Sequence, residues 1–174
     1  MSDQPTDLER LVAAEQIRQL AYSYAYAVDS RDRELLESLW AEPESEVEYP
    51  DMNLFTVRRD HPRWFNKGPT VHFVGNHLID VVDRHHAHGK VYCWAQLDLV
   101  DEFVDQSILY LGRYILRGER WLFWQRRHML WFGQARAENP ISQAADQWPV
   151  RHTGRGDLPA AVMPAERVAA HLRR

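Results

Sequence analysis

Apolar residues recur at two different spacings along the chain, and the spacing changes near residue 70. Over residues 8–28 they fall three or four positions apart, which predicts an amphipathic helix. Thr6 followed by Glu9 fits a capping box at the start of this helix, and Asp29 and Ser30 are capping residues at its end. Residues 31–40 repeat the helical spacing over a shorter stretch, so a second helix is predicted there.

Beyond residue 70, apolar residues alternate with polar ones, which is typical of strands. Four long strands are predicted at residues 71–82, 90–100, 104–116 and 120–132, with turns at 85–89 and 117–119. A short strand at 46–49, stopped by Pro50, and a short helix near 62–67 are predicted before them. Hairpin-length connections indicate an antiparallel meander. The order of elements predicts an α+β domain, with the N-terminal helices packed on one face of a curved antiparallel sheet.

The C-terminal part of the chain lacks both spacings. Residues 134–174 contain four prolines and one predicted helix, at 165–172. So long an irregular segment is typical of a lid or an interface arm. We therefore divide the chain into a domain of residues 1–133 and a C-terminal extension of residues 134–174.

Composition narrows the function classes. A chain of 174 residues is long enough to bury a substantial core, and its net charge of −4 gives no electrostatic reason to expect nucleic acid. A single cysteine excludes an intrachain disulfide framework. The N-terminus lacks the basic and apolar regions of a signal peptide, and no apolar run is long enough to cross a membrane. We expect a cytoplasmic protein with neither a nucleic-acid nor a membrane partner.

Two residues far apart in sequence, Asp29 and His72, are the main candidates for chemistry. A carboxylate can fix the tautomer of an imidazole and stabilise its charged form, which makes the imidazole a competent proton acceptor. The alternatives are that Asp29 only caps a helix and that His72 is a core residue on an apolar strand. Proximity of the two side chains in the fold would favour a catalytic role over these alternatives.

Three further polar residues have both a functional and a packing interpretation. Tyr24 falls on the buried stripe of the first helix, where its hydroxyl could bind substrate or its ring could simply pack. Asn76 should face the same way as His72 unless Gly75 introduces a bulge. Arg126 belongs to an alternating set with Trp124, His128 and Leu130, which faces either the pocket or a partner.

Other motifs argue against metal and cofactor chemistry. His85, His86 and His88 lie in a predicted turn, whereas zinc ligands usually come from separated, rigid elements. Cys93 lies in an apolar run and is interpreted as a core thiol. No phosphate-binding loop or dinucleotide fingerprint is present. We expect neither a metal nor an organic cofactor.

Several short strings, taken in order, resemble those of a known family. The chain is similar, over about residues 8–132, to the SnoaL-like branch of the NTF2-like superfamily, whose fold is a cystatin-like α+β barrel. The strings are Tyr24-Ala25-Tyr26-Ala27-Val28-Asp29, Leu39-Trp40-Ala41-Glu42, His72-Phe73-Val74-Gly75-Asn76, Gly112-Arg113-Tyr114, and Trp121-Leu122-Phe123 with Arg126. Each string alone is a weak signal, and their order and spacing carry the resemblance.

The resemblance implies a catalytic role for the Asp–His pair. Scytalone dehydratase, hexachlorocyclohexane dehydrochlorinase and bile acid 7α-dehydratase have such a pair, in which the His removes a carbon-bound proton and the Asp orients it. By this match His72 is the base and Asp29 its partner, and Tyr24 and Tyr49 are tyrosines of the active site. The predicted substrate contacts are Arg126, Asn76, Tyr110 and Trp40.

The function implied is a cofactor-independent, dehydratase-like lyase that acts on a small, apolar, cyclic metabolite. An isomerase with the same proton abstraction and a non-catalytic module that binds a small molecule are the alternatives. Members of the superfamily commonly associate through the exposed face of the sheet, so the resemblance also implies a homodimer or a homotrimer.

Overall fold

Three helices and a five-stranded antiparallel sheet form the fold that the computed structural model shows for residues 4–48 and 50–156. The strand order is β1-β5-β4-β3-β2, in which all pairs are antiparallel. The predicted α+β architecture is confirmed. The elements are α1 Asp7–Ser30, α2 Arg33–Ser38, β1 Asp51–Met52, α3 Leu54–Phe65, β2 Thr70–Val81, β3 His86–Asp98, β4 Phe103–Arg117, β5 Arg120–Ala135 and a 3-10 turn, Pro140–Ser142.

Helix α1 begins and ends where its capping residues predict. The Thr6 side chain accepts from the backbone N–H of Glu9, and the Glu9 carboxylate accepts from the backbone N–H of Thr6 at 2.7 Å. These two bonds satisfy donors that the first turn of a helix leaves free. The helix stops because Arg31 adopts a left-handed conformation with φ 61°. Its last turn therefore places Asp29 beside the start of β2.

The first strand lies later in the chain than predicted. The prediction at residues 46–48 is wrong, and Tyr49 lies outside the described residues; β1 instead covers Asp51–Met52 and pairs with β5. The carbonyl of Pro50 accepts from the backbone N–H of His128, so cross-strand bonding starts at the proline. Because proline lacks an N–H, it suits the residue just before a strand.

Helix α3 is longer and earlier than the predicted helix at 62–67. Asn53 caps it, since its side chain accepts from the backbone N–H groups of Phe55 and Thr56. Pro62 lies inside the helix and does not begin it. The predicted start of the helix at Pro62 is therefore wrong.

The four long strands form the predicted meander. Arg117 pairs with Arg120 across a two-residue turn at Gly118, whose φ of 61° suits glycine. The first hairpin turn is shorter than the predicted 85–89 because β3 already begins at His86. Strand β5 continues to Ala135, two residues past the predicted end of the domain. The predicted helix at 165–172 lies outside the described residues.

The sheet has one buried and one exposed face. We call the side that packs against α1 the inner face; it carries buried residues from every long strand, among them Val81, Ala87, Val91, Ala95, Ile108, Tyr110, Tyr114, Phe123 and Arg126. The outer face carries exposed aromatic side chains. The candidate site lies where α1 packs against the inner face. None of the described helices is long and apolar enough to span a membrane.

Candidate active site

Asp29 and His72 lie in direct contact although 43 residues separate them. The Nδ1 atom of the His72 ring lies 2.6 Å from Oδ1 of Asp29. The backbone N–H of His72 donates to Oδ2 of the same carboxylate at 2.8 Å. Two bonds from one residue to both carboxylate oxygens fix the position of the imidazole relative to α1. The structure therefore brings together the two residues that the sequence singled out.

Thr70 and Arg31 support this contact, and sequence reasoning missed both. The Thr70 hydroxyl donates to Oδ1 of Asp29 at 2.8 Å, and the Arg31 guanidinium donates to the Thr70 hydroxyl at 3.0 Å. Arg31 also donates to the backbone carbonyls of Val28 and Gly68. The usable signal was spacing, because residues two apart on a strand share a face and Thr70 precedes His72 by two.

The contacts of Asp29 define the protonation of the imidazole. Its carboxylate accepts from the Thr70 hydroxyl and from the backbone N–H of His72, as an ionised carboxylate does. The ring atom that faces it, Nδ1 of His72, must therefore carry a proton. In the neutral ring the lone pair then lies on Nε2, which is the atom able to accept a proton.

Arg126 is buried on the inner face, only 2% exposed. Its guanidinium carbon lies 3.6 Å from the ring centre of Tyr110 and 4.3 Å from that of Tyr24. Among the described residues its Nε and Nη1 atoms have no hydrogen-bond partner. The inward orientation is confirmed, and the alternative of an exposed interface arginine is wrong. Two of its donors are free for a bound molecule.

Tyr24 and Tyr110 lie against the arginine, and Trp40 packs on Tyr24. All three are buried, and the Tyr24 ring makes edge contacts with both of the others at 6.3 Å between ring centres. Burial raises the pKa of Tyr24 and raises that of Tyr110 well above its usual value, against the lowering effect of the nearby Arg126 charge. Both phenols are therefore neutral at physiological pH and able to donate a hydrogen bond.

A bulge in β2 changes which residue faces inward. The pairing with β3 shifts register between Val74 and His77. Asn76 is exposed on the outer face, and His77 takes the inward position. The expectation that Asn76 faces the same way as His72 is wrong, for the reason that the glycine at 75 had suggested. Asn76 does not belong to the site, and His77 does.

A second bulge, in β5, breaks the predicted alternation there. The pairing with β4 shifts so that Trp124 has no partner across the strand and is exposed. Phe123 and Arg126 then share the inner face although one is odd and the other even in number. The predicted set of Trp124, Arg126, His128 and Leu130 is therefore correct only after the bulge.

Two inner-face histidines were not recognised as site residues from sequence. His77 Nε2 lies 3.2 Å from the Tyr114 hydroxyl, and burial together with the Arg126 charge lowers the pKa of His77 to about 4. The His128 ring lies 5.3 Å from that of Tyr110, and burial, Arg126 and His72 lower its pKa. Both imidazoles are uncharged at neutral pH.

Cross-strand register orders these side chains along the inner face. His72 shares a row with Ala95, and His77 shares the row of Val91, four residues further along β3, which is about 13 Å. Arg126 lies one row beyond His128 on β5, and Tyr114 and Phe123 lie beyond Arg126. The base is thus at one end of the site and the arginine is deeper.

The sequence and the fold point to one family. The SnoaL-like domain family matches residues 9–127, more than half of the chain. The chain belongs to the SnoaL-like domain family. A search of the curated proteins found no significant match.

Solved structures share the fold of this SnoaL-like protein. A hexachlorocyclohexane dehydrochlorinase, LinA type 3 from Novosphingobium barchaimii, is 19% identical with a TM-score of 0.68 over 77% of this chain and 97% of that one. A candidate scytalone dehydratase from Novosphingobium aromaticivorans is 20% identical, with a TM-score of 0.66 over 80% and 99% of the two chains.

A protein from Nostoc punctiforme with a cystatin-like fold is 14% identical, with a TM-score of 0.57 over 73% of this chain and 94% of that one. At such low identities, all three likenesses show the fold alone. The predicted cystatin-like α+β fold is confirmed.

A groove of about 690 Å³ in this SnoaL-like protein lies away from the site. It opens on the outer face and is lined by outward side chains such as Leu78, Lys90 and Arg113. Neither Asp29, His72 nor Arg126 contributes to it. We therefore place the candidate chemistry between α1 and the inner face, where Asp29 and His72 lie in contact, and not in this groove.

The histidine cluster at 85–88 lies apart from the site, and the Cys93 thiol is unreactive. His86 binds the Asp83 carboxylate at the hairpin tip, and over residues 4–48 and 50–156 no group of three His, Cys, Asp or Glu side chains could hold a metal ion. Cys93 is buried on the inner face, and burial raises its pKa to about 11, so it is a thiol at neutral pH.

The low pKa of His77 predicts an acid-sensitive fold. Its pKa is about 4 in the folded chain against an ordinary value of 6.5, so below pH 6.5 the unfolded chain binds the extra proton. The contribution of neutral His77 to stability is complete above pH 6.5 and declines as the pH falls to about 4. We expect a smaller decline between pH 7 and 5 in His77→Gln, measured by urea unfolding.

The exposed His88 provides the matched control for this measurement. His88→Gln should leave the pH dependence of the unfolding free energy unchanged. An identical decline in wild type and in His77→Gln would contradict the burial of an uncharged His77.

Proposed function

We propose that this SnoaL-like protein is a cofactor-independent lyase that eliminates water, or a similar leaving group, from a small cyclic metabolite. The supporting observation is the 2.6 Å contact between His72 Nδ1 and Asp29 Oδ1. It leaves Nε2 of His72 with the lone pair, on a ring that two bonds to one carboxylate hold in place. A fixed, uncharged imidazole is what removal of a proton from carbon requires.

The reaction balances without a metal or a redox partner. His72 Nε2 takes the proton from carbon, and the electron pair of that C–H bond becomes the new C=C bond. The leaving oxygen departs from the neighbouring carbon with the electrons of its C–O bond and takes the proton held by the His72 imidazolium, which forms water and restores the neutral base. Asp29 stabilises the imidazolium, the Tyr24 hydroxyl binds the oxygen as negative charge develops, and Arg126 anchors the substrate.

The remaining predicted contacts keep the roles that the resemblance assigned. Tyr110 lies against Arg126 and Trp40 against Tyr24, and Tyr49, outside the described residues, is a second tyrosine for the leaving oxygen. The two structural neighbours described above bear the names of eliminating enzymes, a dehydrochlorinase and a candidate dehydratase. Those names support the reaction class and say nothing of the substrate of this chain.

An isomerase is the second candidate, because the same fixed imidazole could return its proton to another carbon. Dehydration lowers the mass of the substrate by one water, whereas isomerisation in D₂O keeps the skeleton and adds deuterium. A module that only binds a small molecule would do neither. The mass of the product therefore separates the three functions.

Loss of the base should abolish the reaction. In D₂O, purified protein added to a bacterial metabolite extract should convert at least one compound to a product that lacks water or carries deuterium. We expect His72→Ala to lower that rate by about 10²-fold or more, the usual contribution of a general base. Asp29→Asn should lower it as well, since the imidazole loses its orienting carboxylate. Mass spectrometry measures both rates.

His88→Ala is the control, because His88 is exposed on the outer face. It should retain the wild-type rate. If His72→Ala converts the same compound as fast as wild type does, the proposed mechanism is wrong. If wild type converts no compound, the binding module is favoured.

We further propose that the outer face joins copies of this chain into a homodimer or homotrimer. Phe73 and Trp131 are more than 60% exposed there, and Trp131 stacks on Tyr92 while Trp94 contacts Phe132. Paired aromatic rings exposed on one face are typical of an interaction surface. The occupant proposed is a second copy, as the family resemblance implies.

The mass in solution tests this association. Light scattering coupled to gel filtration, at micromolar concentration, should give two or three times the chain mass of 20.5 kDa. Trp131→Glu should shift the mass toward one chain, because a charge cannot be buried between the copies without a partner. Leu8→Glu, at an exposed position of α1, should leave the mass unchanged. A monomeric wild type would contradict the proposal.

A further inference from the structure

The deep part of the site contains buried hydrogen-bond donors that have no acceptor. Among the described residues, Arg126 Nε and Nη1 and Trp40 Nε1 are buried without a hydrogen-bond partner. Guanidinium and indole nitrogens can only donate. No ion pair joins Arg126 to a carboxylate within the described ranges. A buried donor without an acceptor is costly, so this part of the site favours a molecule that supplies acceptors.

His77 is a third residue with a buried donor of this kind. Its Nε2 atom lies 3.2 Å from the Tyr114 hydroxyl, and its Nδ1 atom is buried without a partner. If Nε2 carried the proton, the Tyr114 O–H would also lack an acceptor. If Tyr114 donates to Nε2 instead, only Nδ1–H is unsatisfied. The second arrangement leaves fewer buried groups unpaired, so Nδ1 of His77 is a donor.

A pair of glycines makes this arrangement possible. Gly89 and Gly112 face each other across β3 and β4. A Cβ atom on Gly112 would lie 2.5 Å from the Tyr114 hydroxyl, and one on Gly89 would lie 2.9 Å from Nε2 of His77. Both contacts are shorter than packing allows. The missing side chains leave the space through which Tyr114 reaches His77.

Two of the donor residues, Arg126 and Trp40, lie beside the Phe123 ring, and the third, His77, is connected to that ring through Tyr114. Phe123 lies 4.9 Å from the Trp40 ring and 5.0 Å from the guanidinium carbon of Arg126. It also lies 5.5 Å from Tyr114, which holds His77. We call Arg126, Trp40 and His77 the donor pocket. It is rich in N–H groups and bordered by aromatic rings.

We propose that the donor pocket binds the oxygen-bearing end of the substrate, a carboxylate or a carbonyl attached to a ring. This inference rests on the proposed function, because it assumes that the acidic C–H of the same molecule lies at His72. Acceptor oxygens would satisfy N–H groups that are otherwise unpaired. A hydrocarbon or chlorinated ring of the same size would leave them unpaired and would bind more weakly.

Three one-ring probes of similar size test the donor pocket. Benzoate carries a carboxylate, acetophenone a carbonyl, and ethylbenzene neither. We expect nuclear magnetic resonance titration of the full chain to give the tightest binding for benzoate and at least about tenfold weaker binding for ethylbenzene, with acetophenone between them. Benzoate should also shift the Nε–H signal of Arg126 and the Nδ1–H signal of His77.

Variants test whether the preference for oxygen-bearing probes depends on the buried N–H groups. His77→Phe should weaken benzoate and acetophenone binding by about tenfold and leave ethylbenzene unchanged, since only an N–H donor is lost. Tyr114→Phe, which keeps the ring, should weaken the two oxygen-bearing probes by a smaller factor and serves if His77→Phe does not fold. His88→Phe, at an exposed position of the outer face, should bind all three probes as wild type does.

Equal affinity for the three probes, no binding of any probe, or an unchanged preference in both His77→Phe and Tyr114→Phe would overturn the proposal. The same titrations on His72→Ala separate this inference from the proposed function. A benzoate preference that survives in His72→Ala supports the donor pocket even if no elimination is found. If neither His72→Ala nor wild type prefers benzoate, the donor pocket is contradicted. The role of His72 is then still tested by the rate measurement on His72→Ala.

Discussion

The Asp29 carboxylate is the contact on which the geometry of the site depends. It accepts from the Thr70 hydroxyl and from the backbone and ring nitrogens of His72, so it joins the last turn of α1 to the first residues of β2. Hydrogen bonds to a charged group contribute about 1.5–3 kcal/mol each. The same bonds that hold the helix end against the sheet therefore select the tautomer of the imidazole. The Asp29 carboxylate thus both stabilises the fold and orients the candidate base.

Arg126 carries the opposite charge deeper in the fold, and no carboxylate of residues 4–48 or 50–156 forms an ion pair with it. Burial of an unpaired cation is costly, and the faces of Tyr110 and Tyr24 offset part of that cost through cation–π contact. A protein selected for stability alone would place an apolar residue there. A charge kept buried beside free donors is better explained by the binding of a molecule that brings negative charge or acceptor oxygens. Two poles result, with a proton acceptor at His72 and donors at Arg126.

The sequence was sufficient for the first two helices, the four long strands and the two main poles of the site. Helical spacing placed Asp29 at a helix end, and the family resemblance paired it with His72 and with Arg126. Gly75 suggested the bulge in β2, whereas the bulge in β5 was not predictable in position, because a single extra residue depends on cross-strand pairing and not on local pattern. The β2 bulge moved His77 inward and Asn76 outward.

The supporting residues were missed for a similar reason. Thr70 and Arg31 look like ordinary strand and loop residues until the fold places them beside Asp29. Their contacts span about 40 residues of sequence, and no local pattern encodes such a distance. The start of β1 was misplaced because Pro50 was interpreted as the end of a strand, whereas its carbonyl takes part in the first cross-strand bond.

The tautomer of His72 is the most direct measure of whether Asp29 prepares it as a base. Nitrogen-15 resonance of the labelled full chain, at a pH where the ring is neutral, should show a protonated Nδ1 and an unprotonated Nε2. A strongly downfield Nδ1–H signal should accompany it, as expected for the 2.6 Å contact with the carboxylate. Asp29→Asn should remove that signal. A ring protonated on Nε2 in the wild-type chain would contradict the account.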